Sequence, residues 1–133
     1  MAADFNGDGK MDLAFPIVDT GVYILLGNGD GTFGVKQIVQ IPLAGSTLRV
    51  VASDFDGDGK LDLAVSDSVF NNVTILLGKG DGTFGDGISV PVGAAPFSMA
   101  VGDLNNDGKP DLLTGNIGGF PPYSVSVLLN TSH

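Results

Sequence analysis

The chain has 133 residues, of which 15 are acidic and six are basic, so its formal net charge is −9. Hydrophobic residues make up 43% of the chain and charged residues 16%, whereas a disordered acidic tail is poor in hydrophobic residues and rich in charge. This composition excludes a disordered tail, disfavours nucleic-acid binding through a basic surface, and suits one compact domain.

From the first residues we expect no targeting or membrane segment in this chain. The N-terminus lacks the basic residues and the apolar stretch of a signal peptide, and Met1 is followed almost at once by an Asp-rich segment. We interpret this abrupt beginning as a truncated or engineered start, or as that of a cleaved product with an added Met. No apolar run approaches the ~18–20 residues that span a bilayer, so we expect no membrane insertion. The chain has no cysteine, which excludes disulfides and thiol chemistry.

An Asp-rich motif recurs three times along the chain, at offsets of 50 and 49 residues. Its copies occupy residues 4–13, 54–63 and 103–112. Apolar, β-branched segments recur in step with it at 22–27, 73–78 and 125–130. A Gly-Asp-Gly-Thr-Phe turn recurs at 29–33 and 80–84. Such self-similarity at a fixed period is typical of repeat architectures.

The middle repeat predicts four strands. Short apolar runs separated by Gly, Asn and Asp place these strands near residues 48–53, 61–66, 73–78 and 88–92. Four short antiparallel strands in a repeat of this length are typical of a propeller blade. We therefore predict an all-β fold of about three four-stranded antiparallel propeller blades. The predicted blades span about residues 1–44, 45–93 and 94–133, and the first and last are incomplete.

The repeats resemble a known family. The pattern Asp-x-Asp/Asn-x-Asp-Gly-x-x-Asp-Leu, followed by Leu-Leu-Gly-x-Gly-Asp-Gly-Thr-Phe, is similar to the FG-GAP/VCBS repeat, and the resemblance covers nearly the whole chain. That repeat builds the propellers of integrin α subunits, of some fungal lectins and of many bacterial surface proteins. The resemblance implies propeller blades, calcium in the loop between the first and second strands, and an extracellular or cell-surface location. Propellers of this family have about seven blades, so this chain holds only part of such a ring.

The Asp motif offers a set of oxygen ligands for a hard cation. Positions 1, 3, 5 and 9 supply side-chain oxygens, position 7 supplies its backbone carbonyl, and Ca²⁺ takes six to eight oxygens in flexible geometry. The predicted ligands are Asp4, Asn6, Asp8, the Lys10 carbonyl and Asp12; Asp54, Asp56, Asp58, the Lys60 carbonyl and Asp62; and Asp103, Asn105, Asp107, the Lys109 carbonyl and Asp111. Position 6 is Gly in every copy, as a sharp reversal of the loop requires. We predict up to three Ca²⁺ per chain, in a structural role.

Other interpretations of these loops are less favoured. Asp and Asn also form turns without a metal, but three or four Asp within nine residues repel one another unless a cation joins them. An EF-hand needs a Glu at its twelfth position, and the chain has no Glu. Mg²⁺ demands a stricter geometry, and Zn²⁺ is disfavoured because Cys is absent and His133 is the single His.

A second candidate site lies in the segments between the predicted second and third strands. Aromatic rings beside amides suit sugar rings, and in lectins of the resembled family sugars sit between adjacent blades. The candidate residues are Phe70, Asn71, Asn116, Phe120 and Tyr123, although plain exposed loops are the favoured interpretation. We predict no enzyme activity, because a Ser–His–Asp arrangement would depend on the terminal His133.

An arc of three blades leaves two apolar blade faces open, and repeat arrays need their end faces covered. Closure by identical copies in a ring is the simplest solution. The sequence therefore predicts a non-catalytic, calcium-binding propeller module with a structural or scaffold role that forms a homo-oligomer. A dimer is favoured over a trimer because it gives a common blade number. The alternative function is a carbohydrate-binding or adhesive extracellular module with glycan partners.

Overall fold

The computed structural model describes residues 1–18, 20–41, 47–119 and 123–132, without the side chains of residues 35, 36, 47 and 48. Over these ranges the chain forms eleven β-strands and no helix. The strands are Ala2–Ala3 (β1), Asp12–Ile17 (β2), Gly21–Gly27 (β3), Phe33–Gln40 (β4), Thr47–Ser53 (β5), Asp62–Asp67 (β6), Asn72–Gly78 (β7), Phe84–Pro91 (β8), Pro96–Gly102 (β9), Asp111–Asn116 (β10) and Ser124–Leu128 (β11). The described ranges contain no segment that would cross a membrane as a helix.

The strands form three antiparallel sheets in chain order. Sheet 1 contains β1 to β4, sheet 2 contains β5 to β8, and sheet 3 contains β9 to β11, and within each sheet every strand pairs with the next one along the chain. The predicted all-β class with antiparallel sheets is therefore confirmed. The described residues form no closed barrel, and completion of a propeller by further copies stays a prediction.

The four strands predicted for the middle repeat are confirmed, with one difference in extent. Strand β8 begins at Phe84 rather than near residue 88. The pairing of β7 with β8 shifts register between Leu76 and Gly78, so a β-bulge keeps the two strands paired through the glycine-containing segment. The sequence interpretation placed a Gly-rich turn at 80–84 and began the strand only near residue 88. The predicted blade boundary at residues 44 and 45 lies outside the described residues.

Sheet 2 lies between the other two sheets, and its strands β6 and β7 are largely buried on both faces, whereas β8 is mostly exposed. Strand β6 is buried along its whole length, as expected for an apolar strand covered on both sides. The cluster between sheets 1 and 2 contains Phe5, Ala14, Val22, Ile24, Val39, Ile41, Leu63, Val65, Leu76 and Phe84. A second cluster, between sheets 2 and 3, centres on Ala64, Val73 and Leu112. The Asp-rich loops join the first and second strands of each sheet, and the two clusters therefore set the spacing between neighbouring loops.

Candidate metal centre

Each Asp-rich loop turns through two residues with left-handed backbone. In the second loop these are Gly57 (φ 82°) and Gly59 (φ 86°), at motif positions 4 and 6. The first loop has Gly at both positions with the same sign of φ, and the third has Asn106 (φ 61°) at position 4. Asn is one of the few residues besides Gly that adopts this conformation at small cost. The three loops therefore share one backbone path although one glycine is replaced.

The first Asp of each motif organises its loop. Asp54 Oδ1 accepts hydrogen bonds from the backbone N–H groups of Gly57 and Asp58 at 2.7 and 3.1 Å, and Oδ2 accepts one from Gly59 at 2.8 Å. The corresponding acceptors in the other two loops are Asp4 and Asp103. The Gly9 N–H, with weaker help from Gly7 and Asp8, lowers the pKa of Asp4 below its ordinary value. This side chain is therefore held as a carboxylate at the centre of its loop.

Three carboxylates converge in the second loop. One oxygen each of Asp54, Asp56 and Asp58 lies within 4.8 Å of the other two. Oxygens bound to one Ca²⁺ at about 2.4 Å lie no more than about 4.8 Å apart, so this group has the spread that a single calcium ion requires. In the first and third loops position 3 is Asn6 or Asn105, whose amide oxygen also serves as a Ca²⁺ ligand but adds no charge to the site.

The Asp at position 5 is held by the lysine at position 7. In each loop the lysine backbone N–H donates to this carboxylate at 2.9 Å. In the second loop the ammonium of Lys60 also donates to Asp58 Oδ2 at 2.7 Å. That contact lowers the pKa of Asp58 and raises that of Lys60. The ammonium thus neutralises part of the loop charge, in competition with any bound cation.

The Asp at position 9 is buried and tied to the backbone on two sides. Asp62 accepts from the Phe55 N–H through Oδ2 and from the Gly78 N–H through Oδ1, both at 2.8 Å. Burial raises the pKa of Asp62 above its ordinary value, whereas the Asn130 N–H lowers that of its equivalent Asp111. Asp12 and Asp111 make the corresponding pairs of hydrogen bonds.

The position-9 carboxylates therefore connect each loop to the end of the third strand of its sheet. Asp62 is not part of the three-carboxylate group of the second loop, although each of its oxygens keeps a second lone pair. The sequence interpretation assigned position 9 to the metal alone and missed this anchoring role. The signal that was available is the place of this Asp, immediately before the apolar run of a buried strand.

The second and third loops lie side by side. They line a cleft of about 640 Å³ together with Val101, Asn130 and Ser132. Its acidic wall comes from three carboxylates, Asp54, Asp56 and Asp103. Cation sites in these two loops would therefore face one shared opening.

Four of the five residues proposed for sugar binding, Phe70, Asn71, Asn116 and Tyr123, lie among the described residues. The rings of Phe70 and Tyr123 are 52% and 65% exposed. Asn71 accepts a hydrogen bond from the backbone before β9 at 2.7 Å, and the buried amide of Asn116 donates to two serine hydroxyls at 3.2 and 2.9 Å. Phe120 lies outside the described residues. Both amides therefore hold the protein's own structure, and the two aromatic rings are left as exposed groups.

The comparisons with known proteins concern the repeats. The model of the FG-GAP-like repeat matches residues 4–65 and 54–114, and each match runs from one Asp-rich loop through the next. A chain of the Photorhabdus luminescens Tc holotoxin pore has a similar structure, with a TM-score of 0.56 and 26% sequence identity. The similarity covers 98% of this chain but only 6% of the toxin chain. No curated protein matches the chain significantly.

Proposed function

The chain belongs to the FG-GAP-like repeat family, and from that premise we propose that it is a non-catalytic, calcium-binding β-propeller module with a structural role. The observation that carries the proposal is the convergence of Asp54, Asp56 and Asp58 within 4.8 Å, in a loop whose hydrogen bonds recur in two further copies. FG-GAP repeats often bind calcium, which agrees with this donor set.

The donor set favours Ca²⁺ over other ions. It consists of carboxylate and amide oxygens on a tight loop, with an open side toward water that supplies the remaining ligands. Ca²⁺ accepts this number and looseness of oxygen ligands, whereas Mg²⁺ requires near-ideal octahedral geometry. Up to three Ca²⁺ would bind per chain, one in each loop.

The proposed role of the metal is to stabilise the fold. Each loop is a hairpin between the first two strands of its sheet, and its position-9 Asp is bonded to the end of the third strand. An ion that binds only this folded arrangement raises the free energy of unfolding. It also removes the mutual repulsion of the loop carboxylates, since ten of the 15 Asp lie in the three motifs.

Self-assembly and location belong to the same proposal. The two end sheets present apolar side chains on the faces turned away from sheet 2, and copies of the chain would cover them in a closed ring, with a dimer favoured over a trimer. FG-GAP repeats are typical of extracellular proteins, so we propose an extracellular or cell-surface setting. A glycan-binding or adhesive role would rest on the exposed rings of Phe70 and Tyr123, and a glycan array tests it.

Calorimetric titration of chelator-treated protein with Ca²⁺ tests the proposal. We expect saturable binding, with the Asp56→Asn variant losing affinity at one site. Asp86→Asn is the matched control, because it removes the same charge from an exposed strand position outside the loops. Absence of binding, or equal loss in both variants, would contradict a metal site in the second loop.

A further inference from the structure

One face of sheet 3 lacks the cover that its equivalents have. Val22 in sheet 1 and Val73 in sheet 2 occupy the same place in the repeat, and both are fully buried because each packs toward the next sheet. The third equivalent, Val125, is 64% exposed, and Val127 on the same face is 51% exposed. Both valines point away from sheet 2, because side chains alternate along β11 and Leu128 packs in the second cluster.

The opposite face of sheet 1 lacks cover in the same way. Leu63 and Leu76 of sheet 2 are fully buried against sheet 1. Their equivalents Leu13 and Leu25 are cross-strand partners on the side of sheet 1 turned away from sheet 2, and both are only partly buried. The neighbouring rings of Phe15 and Tyr23 stack on each other at 5.8 Å on that face. The outer face of sheet 1 is therefore equivalent to the face of sheet 2 that packs against sheet 1.

The contact between an Asp-rich loop and the next sheet likewise lacks one partner in sheet 1 and one in the third loop. Phe5 of the first loop packs edge-to-face on Phe84 with ring centroids 5.7 Å apart, and the two are 4% and 3% exposed. The repeat equivalent of Phe84 is Phe33 in sheet 1, which is 41% exposed. The third-loop equivalent of Phe5 is Leu104, which is 46% exposed. Each of these two side chains therefore lacks the partner that the other would provide.

A backbone contact accompanies the aromatic one. The Gly82 N–H donates to the Phe5 carbonyl at 3.1 Å and so joins sheet 2 to the first loop. The Asn130 side chain donates to the corresponding Phe55 carbonyl at 2.8 Å and joins sheet 3 to the second loop. The next acceptor in this series is the Leu104 carbonyl, and the repeat equivalent of Gly82 is Gly31.

From this correspondence we infer that a second copy of the chain docks head to tail, with its sheet 1 on the outer face of sheet 3. Phe33 of the second copy then packs on Leu104, its Gly31 N–H donates to the Leu104 carbonyl, and its Leu13 and Leu25 cover Val125 and Val127. The inference rests on the proposed self-assembly and specifies its surfaces. It makes each contact between copies a continuation of the two sheet interfaces within the chain, so that unlike faces meet; in a closed dimer the two-fold axis of the ring relates two such contacts.

Cysteine cross-linking tests the inference, because the chain has no cysteine of its own. Phe33→Cys and Leu104→Cys variants, each at an exposed position, are co-expressed with different tags and treated with a short bismaleimide. The two thiols meet in the proposed contact only when one chain carries Phe33→Cys and the other carries Leu104→Cys. We expect a covalent species of twice the 13.5 kDa chain mass that contains one of each tag, and none from either variant alone. Val69→Cys, at a position 53% exposed in the turn between β6 and β7, replaces Leu104→Cys in the control pair, which should give no cross-link.

Three results would overturn the inference. Cross-links in either variant alone would indicate like faces in contact, and an oligomer without the mixed cross-link would place the interface elsewhere while leaving self-assembly intact. A 13.5 kDa mass for the unmodified chain would refute self-assembly itself, and with it the inference, without bearing on calcium. As a second measurement, Leu104→Lys should reduce the mass of the assembly to that of one chain, while Val69→Lys should leave it unchanged.

Discussion

At the scale of single residues, the Asp side chains of one motif differ in what they do. Asp56 and Asp58 are exposed and available to a cation, whereas Asp62 is buried and holds the N–H groups of Phe55 and Gly78. Each buried N–H left without an acceptor costs about 1–3 kcal/mol. We therefore expect Asp62→Ala to lower the free energy of unfolding by ~2–5 kcal/mol in chelator. Denaturant unfolding measures this, with Asp56→Ala as the control that should lower stability in Ca²⁺ but not in chelator, where it relieves repulsion between the loop carboxylates.

The buried carboxylate of Asp67 offers a prediction of opposite sign. Its Oδ1 accepts the N–H groups of Val69 and Phe70 at 2.7 and 3.0 Å, but its buried Oδ2 has no hydrogen-bond partner among the described residues. Asn72, its cross-strand neighbour, also has an unpartnered Oδ1. Asp67→Asn keeps the first acceptor, removes the charge and adds a donor, so we expect ~1–2 kcal/mol of added stability. A lower melting temperature for this variant would contradict that assignment.

A pH dependence is expected at the turn before β4. Thr32 donates to Asp30 Oδ1 through its hydroxyl at 2.6 Å and its N–H at 2.9 Å, and these bonds lower the pKa of Asp30 below 3.8. Their stabilising effect is complete above pH 3.8 and is lost as the pH falls through the folded-state pKa. Thr32→Val removes the hydroxyl donor and should raise the pKa of Asp30 toward 3.8 in a carboxyl-carbon NMR titration. An unchanged pKa would contradict the assigned cause.

At the scale of elements, the unit is a hairpin closed by an Asp-rich loop. Calcium would tie positions 1, 3 and 5 of the loop together, while the position-9 Asp already connects the hairpin to the third strand. We therefore expect Ca²⁺ to slow amide hydrogen exchange in residues 54–62. The turn at 79–83, which has its own Asp81–Thr83 hydrogen bonds and no predicted ligand, is the internal reference. Equal protection of both segments would argue against binding in the loop.

The elements also show what the sequence could predict. Strands β5 to β7 were predictable because β-branched runs alternate with Gly, Asn and Asp, and the loops because their motif recurs. The start of β8 at Phe84 was not predictable, because a β-bulge that keeps two strands paired through a glycine-containing segment depends on the partner strand. The hydrogen bonds of Asp62 to Phe55 and Gly78 were not predictable either, because they join residues that become neighbours only when three strands pair.

At the scale of the whole molecule, the same sheet-to-sheet contact occurs twice, and the Asp-rich loops contribute to it. The Phe5 and Phe55 carbonyls that accept bonds from the next sheet both lie in these loops. Removal of calcium should therefore weaken contacts between copies as well as within a chain. Light scattering over a dilution series should show dissociation at higher protein concentration in chelator than in Ca²⁺, and identical curves would separate assembly from metal binding.

We propose that Ca²⁺ binds the folded chain and stabilises it. A thermal melt in saturating Ca²⁺, compared with the same protein in chelator, tests it most directly. A site filled to 100 times its dissociation constant adds ~2.7 kcal/mol to the free energy of unfolding, which raises the melting temperature of a domain of this size by several degrees. We expect a rise of at least that size in Ca²⁺, with a smaller one in Mg²⁺. Equal melting temperatures in Ca²⁺ and in chelator would contradict the claim.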